Sequence, residues 1–275
     1  MSESPSAPSS VPVGVDPNRA SIARVYDYGL GGKDNYEIDR EVLDKVSAVA
    51  PSVNDLAWSN RQFLVRAVRF LADQAGIDQF IDCGSGLPTA ENTHQIAQRI
   101  NPDATVVYVD NDPVVLAHAR VLLAENDNTS LITADIFDPN EVLQDETVRQ
   151  KIDFTRPVAL LQAGTWHHYL GEDIEELMRQ YVDALPSGSC VVVSHFFDPE
   201  NEDSARAQEM EKVFIASPMG SGRFRTQAEI EAMFPGTELV DPGLQRCDDW
   251  WPDGPRLRPL NEAERCIAGA VGRKP

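Results

Sequence analysis

Phe80-Ile81-Asp82-Cys83-Gly84-Ser85-Gly86-Leu87-Pro88-Thr89 passes from a short apolar run, through two closely spaced glycines, into a segment of helical character. The run reads as a buried strand, and Gly84 and Gly86 allow the backbone to turn tightly and approach a ligand. A plain strand-to-helix turn needs one such glycine, so the pair points to a bound molecule. Further along, Thr105-Val106-Val107-Tyr108-Val109, Leu131-Ile132, Val158-Ala159-Leu160-Leu161 and Cys190-Val191-Val192-Val193 are similar runs, as expected of parallel strands buried on both faces. Between the last two, Ile174, Leu177, Met178, Tyr181, Val182 and Leu185 keep the 3.6-residue period until Pro186 ends it. Strand and helix alternate, which predicts an α/β fold: a doubly wound, mostly parallel sheet with ligands at the carboxyl ends of its strands.

Upstream the pattern is helical from Ser21 to about Gly76, with Leu64, Ala67, Val68 and Leu71 at the spacing of one buried stripe. Residues 2 to 17 are mostly Ser, Pro, Ala and Val, a composition that cannot bury enough apolar surface to offset ordering entropy. The expected organisation is a disordered arm over 1–17, a helical extension over 18–76 and the main domain over 77–275. The whole chain of 275 residues carries 24 Lys and Arg against 44 Asp and Glu, a net charge of −20 that would repel phosphate backbones and anionic lipid. Nucleic acid and membrane surfaces are therefore not expected partners. No apolar run approaches the roughly 20 residues of a membrane span, and the first residues lack a signal peptide's basic and apolar regions, so a cytoplasmic protein is expected. Cys83, Cys190, Cys247 and Cys266 are scattered without a C-x-x-C pair, so no disulfide framework and no metal site is expected.

Acidic residues close the predicted strands. Asp110 ends the second, where a carboxylate can accept both hydroxyls of a ribose. Asp112 precedes Pro113 at a first helical position and reads as a cap. The third strand leads into Ala134-Asp135-Ile136-Phe137, in which Asp135 either forms a turn or accepts from an exocyclic amine beside a flat apolar slot. Asp82, Gly84, Gly86, Asp110 and Asp135 together outline a nucleoside.

The order Ile81-Asp82-Cys83-Gly84-Ser85-Gly86, Val109-Asp110, Ala134-Asp135 and Leu185-Pro186-Ser187-Gly188-Ser189 resembles class I S-adenosylmethionine (SAM) methyltransferases over about residues 78–198. Arg24-Val25-Tyr26-Asp27-Tyr28-Gly29-Leu30-Gly31-Gly32-Lys33-Asp34-Asn35 ahead of the glycine loop is similar, more narrowly, to a bacterial S-adenosyl methyltransferase family with largely unassigned substrates, which extends the likeness to nearly the whole chain. The resemblance implies a seven-stranded Rossmann-like sheet ending in an antiparallel pair, near Leu239-Val240 and Ala263 to Val271, and methyl transfer from SAM to a small-molecule acceptor. It implies that Gly84 and Gly86 approach the methionine part, Asp82 faces its ammonium, Asp110 holds the ribose, and Asp135 with Ile136 holds the adenine. Ser85, Asn111, Gln162 and Ala163 complete the implied cofactor wall. Pro88 replaces the usual third glycine of the broad class, and Leu87-Pro88-Thr89 is the expected form in the narrower family. A non-catalytic SAM or nucleoside sensor is the alternative, because every well-supported residue serves cofactor binding. A dehydrogenase is disfavoured, because a carboxylate at Asp82 sits poorly beside a pyrophosphate.

Two segments stay open to two readings each. Tyr26, Tyr28 and the glycines from Gly29 to Gly32 interrupt a helix, either as a lid whose tyrosine face rests on the sulfonium or as a turn with core tyrosines. Lys33 either holds the methionine carboxylate or caps the next helix. After the fourth strand, Gln162-Ala163-Gly164-Thr165-Trp166-His167-His168-Tyr169 borders the position of the transferred methyl. His167 and His168 are candidate bases or a structural helix start, and His195, ending the fifth strand, is a further candidate.

Overall fold

The computed structural model describes residues 14–88, 91–122 and 126–275. Most of the expected N-terminal arm, and Thr89 of the glycine loop, lie outside the described residues.

The strands are β1 (Gln79–Cys83), β2 (Thr105–Val109), β3 (Thr129–Ile132), β4 (Ala159–Ala163), β5 (Cys190–Phe196), β6 (Glu238–Leu239), β7 (Gln245–Arg246) and β8 (Ile267–Arg273). They form one sheet in the order β3-β2-β1-β4-β5-β8-β6, with β7 also on β8. The first five are parallel and β8 runs antiparallel to β5, β6 and β7. The expected α/β sheet and its antiparallel finish are present. The sheet has eight strands where seven were expected, because Gln245–Arg246 adds a two-residue strand beside Gly269 and Ala268. The final strand begins at Ile267, not Ala263, since Glu264–Cys266 makes a turn of 3₁₀ helix.

Helices α1 (Ile22–Gly29), α2 (Glu37–Ser47) and α3 (Asn54–Asp73) precede the sheet. The later helices are α4 (Thr93–Ile100), α5 (Pro113–Leu122), α6 (Pro139–Leu143), α7 (Glu146–Lys151), α8 (Ile174–Ala184), α9 (Ser204–Ala216) and α10 (Gln227–Glu231). Successive side chains of a strand face opposite ways, so each central strand feeds two cores. Phe80, Val106, Tyr108, Leu161 and Val192 pack with the stripe of α3 on one face. Ile81, Val107, Val109, Leu160, Val191 and Val193 pack with α8 on the other. Both faces are covered, which is why these strands read as continuous apolar runs. Among the described residues no helix is long and apolar enough to cross a membrane.

The chain builds β1, β2 and β3 outward in one direction, then returns to place β4 on the other side of β1. That reversal opens a crevice at the carboxyl ends of β1 and β4, where open α/β sheets bind ligands.

The arm was expected to stay loose to residue 17, yet its last residues are seated. Val15 packs against Ala23, Leu87, Val114 and Val115, and the Arg24 guanidinium donates to the carbonyls of Asp16 and Arg19. A single apolar side chain and a buried guanidinium hold a segment that has no periodic apolar face.

Candidate active site

A cleft of about 760 Å³ opens at the crevice. Its floor is the loop after β1, where Gly84 (φ +73°) and Gly86 (φ +65°) take the left-handed conformation that glycine adopts without strain. A Cβ on Gly84 would collide with Thr165 Cγ2, whereas one on Gly86 would enter open space.

Asp110 follows β2 and is buried. Its Oδ2 accepts from the Gly86 amide at 2.9 Å and its Oδ1 from the Asp112 amide at 2.9 Å, so carboxylate and glycine loop fix each other. Burial raises its pKa against the pull of these bonds. Asp82, at the end of β1, accepts from Thr93 Oγ1 at 2.6 Å. Burial, opposed by that bond and by Arg61 and reinforced by Asp110, brings its pKa to about 6. Asp135 is exposed and accepts from the Phe137 amide at 2.9 Å, which turns Ile136 and Phe137 along the cleft wall. Asp135 forms the turn, and its exposed carboxylate borders the cleft.

Of the residues singled out in sequence, Asp82, Gly84, Ser85, Gly86, Asp110, Asn111, Asp135, Ile136, Ala163, His167 and His168 line this one cleft. Gln162 is fully buried behind it, because alternate residues of β4 face opposite ways. Tyr28 and Lys33 are not in the cleft. The Tyr28 hydroxyl reaches Asp44 Oδ1 at 3.3 Å, and Lys33 is exposed. The turn after α1 is organised around Asp27, as in the second of the two readings: its carboxylate accepts from the Asp34 amide at 3.0 Å and Asn35 Nδ2 at 2.8 Å, and the chain wraps it so closely that a Cβ on Gly32 would overlap it. His195 is likewise withdrawn. Its Nδ1 meets the Phe196 carbonyl at 2.6 Å and its Nε2 meets Arg225 Nη1 at 2.9 Å. With both nitrogens engaged and burial pushing its pKa to about 3, it takes no proton from a ligand.

Sequence reasoning named Tyr26 beside Tyr28 without separating them, and it missed Asn60 and Arg61. Tyr26, not Tyr28, faces the cleft; its hydroxyl donates to the Ala57 carbonyl at 3.1 Å and accepts from Asn60 Nδ2 at 3.0 Å. Asn60 in turn accepts from Ser194 Oγ, tying α1, α3 and β5 together. Arg61 lines the cleft one residue on, and its charge is felt by both Asp82 and Tyr26. Residues 14–16 and 19–26 complete the wall. Their seat is Asp112, which accepts from the Val114 amide at 2.7 Å as the expected cap and also from Ser21 Oγ.

Beyond β4, a 3₁₀ turn (Trp166–His168) carries the paired histidines. His167 lies flat on Phe196, with ring centroids 3.6 Å apart and 6° between planes. Burial, with the nearby His168, His195 and Arg225, holds its pKa well below the usual histidine range. His168 accepts from or donates to Ser221 Oγ at 2.9 Å through Nδ1, and burial pushes its pKa to about 3. Both imidazoles are neutral near pH 7 and are weak bases.

The family model for S-adenosyl methyltransferases matches residues 9–275. The chain belongs to the S-adenosyl methyltransferase family. A protein of Thermobifida fusca YX, provisionally assigned as a methyltransferase, is 43% identical with a TM-score of 0.90, over 95% of this chain and 97% of that one. A DUF574 family protein from Streptomyces avermitilis MA-4680 is 39% identical with a TM-score of 0.88, over 94% and 99%. No curated protein matches the chain. This methyltransferase is thus a SAM-dependent enzyme of the class I fold, as the glycine loop and acidic strand ends led us to expect. The residues present fit the cofactor: Gly86 leaves room where any other residue would place a Cβ, and a buried carboxylate stands beside it.

Proposed function

We propose that SAM lies along the carboxyl ends of β1, β2 and β3, and that a small-molecule acceptor meets it from the β4–β5 side. The observation that carries this reading is the convergence of Asp82, Asp110 and Asp135 on one cleft around Gly84 and Gly86. Asp135 with Ile136 would hold the adenine, Asp110 the ribose hydroxyls and Asp82 the methionine ammonium. We assign the methionine carboxylate to Arg61 in place of Lys33, because Arg61 stands on a rigid helix, faces the cleft and acts on Asp82 electrostatically. Arg19 also lines the cleft but sits on the N-terminal segment, and Arg24 is committed to Asp39. When bound, SAM supplies a methyl group already activated by its sulfonium. The protein's part is then alignment and exclusion of water, by the wall of residues 14–26 over the cleft. The net charge of −20 argues against a nucleic-acid acceptor. A cytoplasmic setting suits the four free buried cysteines.

Calorimetric titration with S-adenosylhomocysteine and with 5′-methylthioadenosine, which lacks the amino-acid part, tests these roles. Asp110→Ala should weaken both by about 1–3 kcal/mol through lost hydroxyl bonds. Arg61→Ala should weaken S-adenosylhomocysteine alone, by about 1.5–3 kcal/mol for a bond between charged groups. Equal losses for both ligands in Arg61→Ala, or a larger effect from Lys33→Ala, would return the carboxylate assignment to Lys33 or elsewhere.

A pH dependence follows from Asp82. Its folded pKa of about 6 lies above the ordinary 3.8, so on acidification the folded protein takes up this proton before the unfolded chain does. Ionised Asp82 therefore costs stability above pH 6, and that cost disappears as pH falls. Binding of an ammonium needs the ionised form, so affinity for S-adenosylhomocysteine should be full well above pH 6 and decline as pH falls through about 6. Asp82→Asn should bind more weakly and lose this dependence, as titrations between pH 5 and 8 will show.

A further inference from the structure

We infer that the β4–β5 end of the cleft receives an uncharged acceptor with a flat aromatic face. The inference rests on the cofactor placement above, which leaves this end for the acceptor. The sheet order puts β4 and β5 on the opposite side of β1 from β2 and β3. A molecule spanning the three acidic strand ends thus presents its other side to the residues that follow β4 and β5.

That end is built of rings. The His167 imidazole is stacked on Phe196, and Phe196 is stacked on Phe214 with centroids 5.4 Å apart and planes at 27°. All three line the cleft, as do Met219 and His168. Aromatic faces and a thioether favour a flat π-system as a packing partner.

The residues that β4, β5 and the segments after them give to the cleft carry no formal charge. The lining residues contributed from β4 through Met219 include no carboxylate and no lysine or arginine. The Arg225 guanidinium stands behind them, bonded to His195 and to the carbonyls of Trp166 and Tyr169. It disfavours a proton on His167, whose pKa burial has already lowered. A carboxylate packed against these residues would find no cation among them, and an ammonium no anion, so either would lose hydration there without replacement.

Thr165 Oγ1 and His167 Nδ1, on two residues that line the cleft, are buried and have no partner within the protein. Buried polar groups are almost always paired, and both of these are uncharged.

The test uses the full-length protein saturated with S-adenosylhomocysteine at pH 7. It is titrated with 2-naphthol, 2-naphthoate and 2-naphthylmethylammonium, which share one ring system and differ in charge. The neutral naphthol should bind at least tenfold more tightly than either ion. Met219→Glu, which places a carboxylate beside the rings, should weaken naphthol and strengthen the ammonium while leaving S-adenosylhomocysteine affinity unchanged. Equal or tighter binding of a charged probe to the wild type, binding of none of the three, or naphthol binding indifferent to Met219→Glu would overturn the inference. Failure of S-adenosylhomocysteine itself to bind would overturn the cofactor placement as well, and is read separately in the first step.

Discussion

Asp39→Ala should cost about 3–5 kcal/mol of folding stability, because it strands a buried positive charge. Asp39 is fully buried and accepts from the Ser21 amide at 2.9 Å, the Arg24 Nε at 2.7 Å and the Tyr36 amide at 2.8 Å. Arg24 is buried too and reaches on to the carbonyls of Arg19 and Asp16. One carboxylate therefore starts α2, anchors α1 and, through Arg24, pins the segment that walls the cleft. Replacing both partners with apolar residues of similar size, Arg24→Met with Asp39→Leu, should cost less, since no charge is left unpaired, and should keep the part due to the lost Ser21 and Tyr36 amide bonds. Urea denaturation measures both. A loss below about 1 kcal/mol for Asp39→Ala, the size of an exposed pair, would show that the pair is not desolvated.

Gly84→Ala should be damaging for two separable reasons. The left-handed backbone costs an L-residue about 1–2 kcal/mol, and the new methyl overlaps Thr165 Cγ2, for which overpacking typically adds about 1–3 kcal/mol. Thr165→Ser removes the opposing methyl group, so the double variant should recover the packing part and retain the backbone part. Denaturation of the four proteins gives the coupling directly. Additive effects of the two substitutions would mean that the loop and the turn after β4 are not in contact.

The carboxylates and glycines of the cleft were legible because strand period, glycine spacing and acidic ends coincide in one stretch of chain. Tyr26 and Tyr28 were not distinguishable in the same way. Residues two apart on an α-helix point about 200° apart, so one faces the cleft if the other does not. Which of them does is decided by the packing of α1 on α2 and α3. The glycines beside them were legible as special positions, but their reason, close approach to the Asp27 carboxylate, lies in tertiary structure. Arg61 did leave a signal. The stripe Leu64, Ala67, Val68 and Leu71 continues backwards at the same spacing to Arg61, Asn60 and Ala57. A buried stripe that turns polar at one end marks where a helix leaves the core and meets a cleft. His195 carried no such mark, since the arginine that occupies it stands thirty residues later in the chain.

A crystal structure of the protein with S-adenosylhomocysteine tests the central claim most directly. The account predicts adenine beside Asp135 and Ile136, ribose hydroxyls within hydrogen-bond distance of Asp110, and the amino-acid end between Asp82 and Arg61, with the sulfur facing the rings of His167 and Phe196. Adenine found among those rings at the β4–β5 end, or ligand bound outside this cleft, would contradict it.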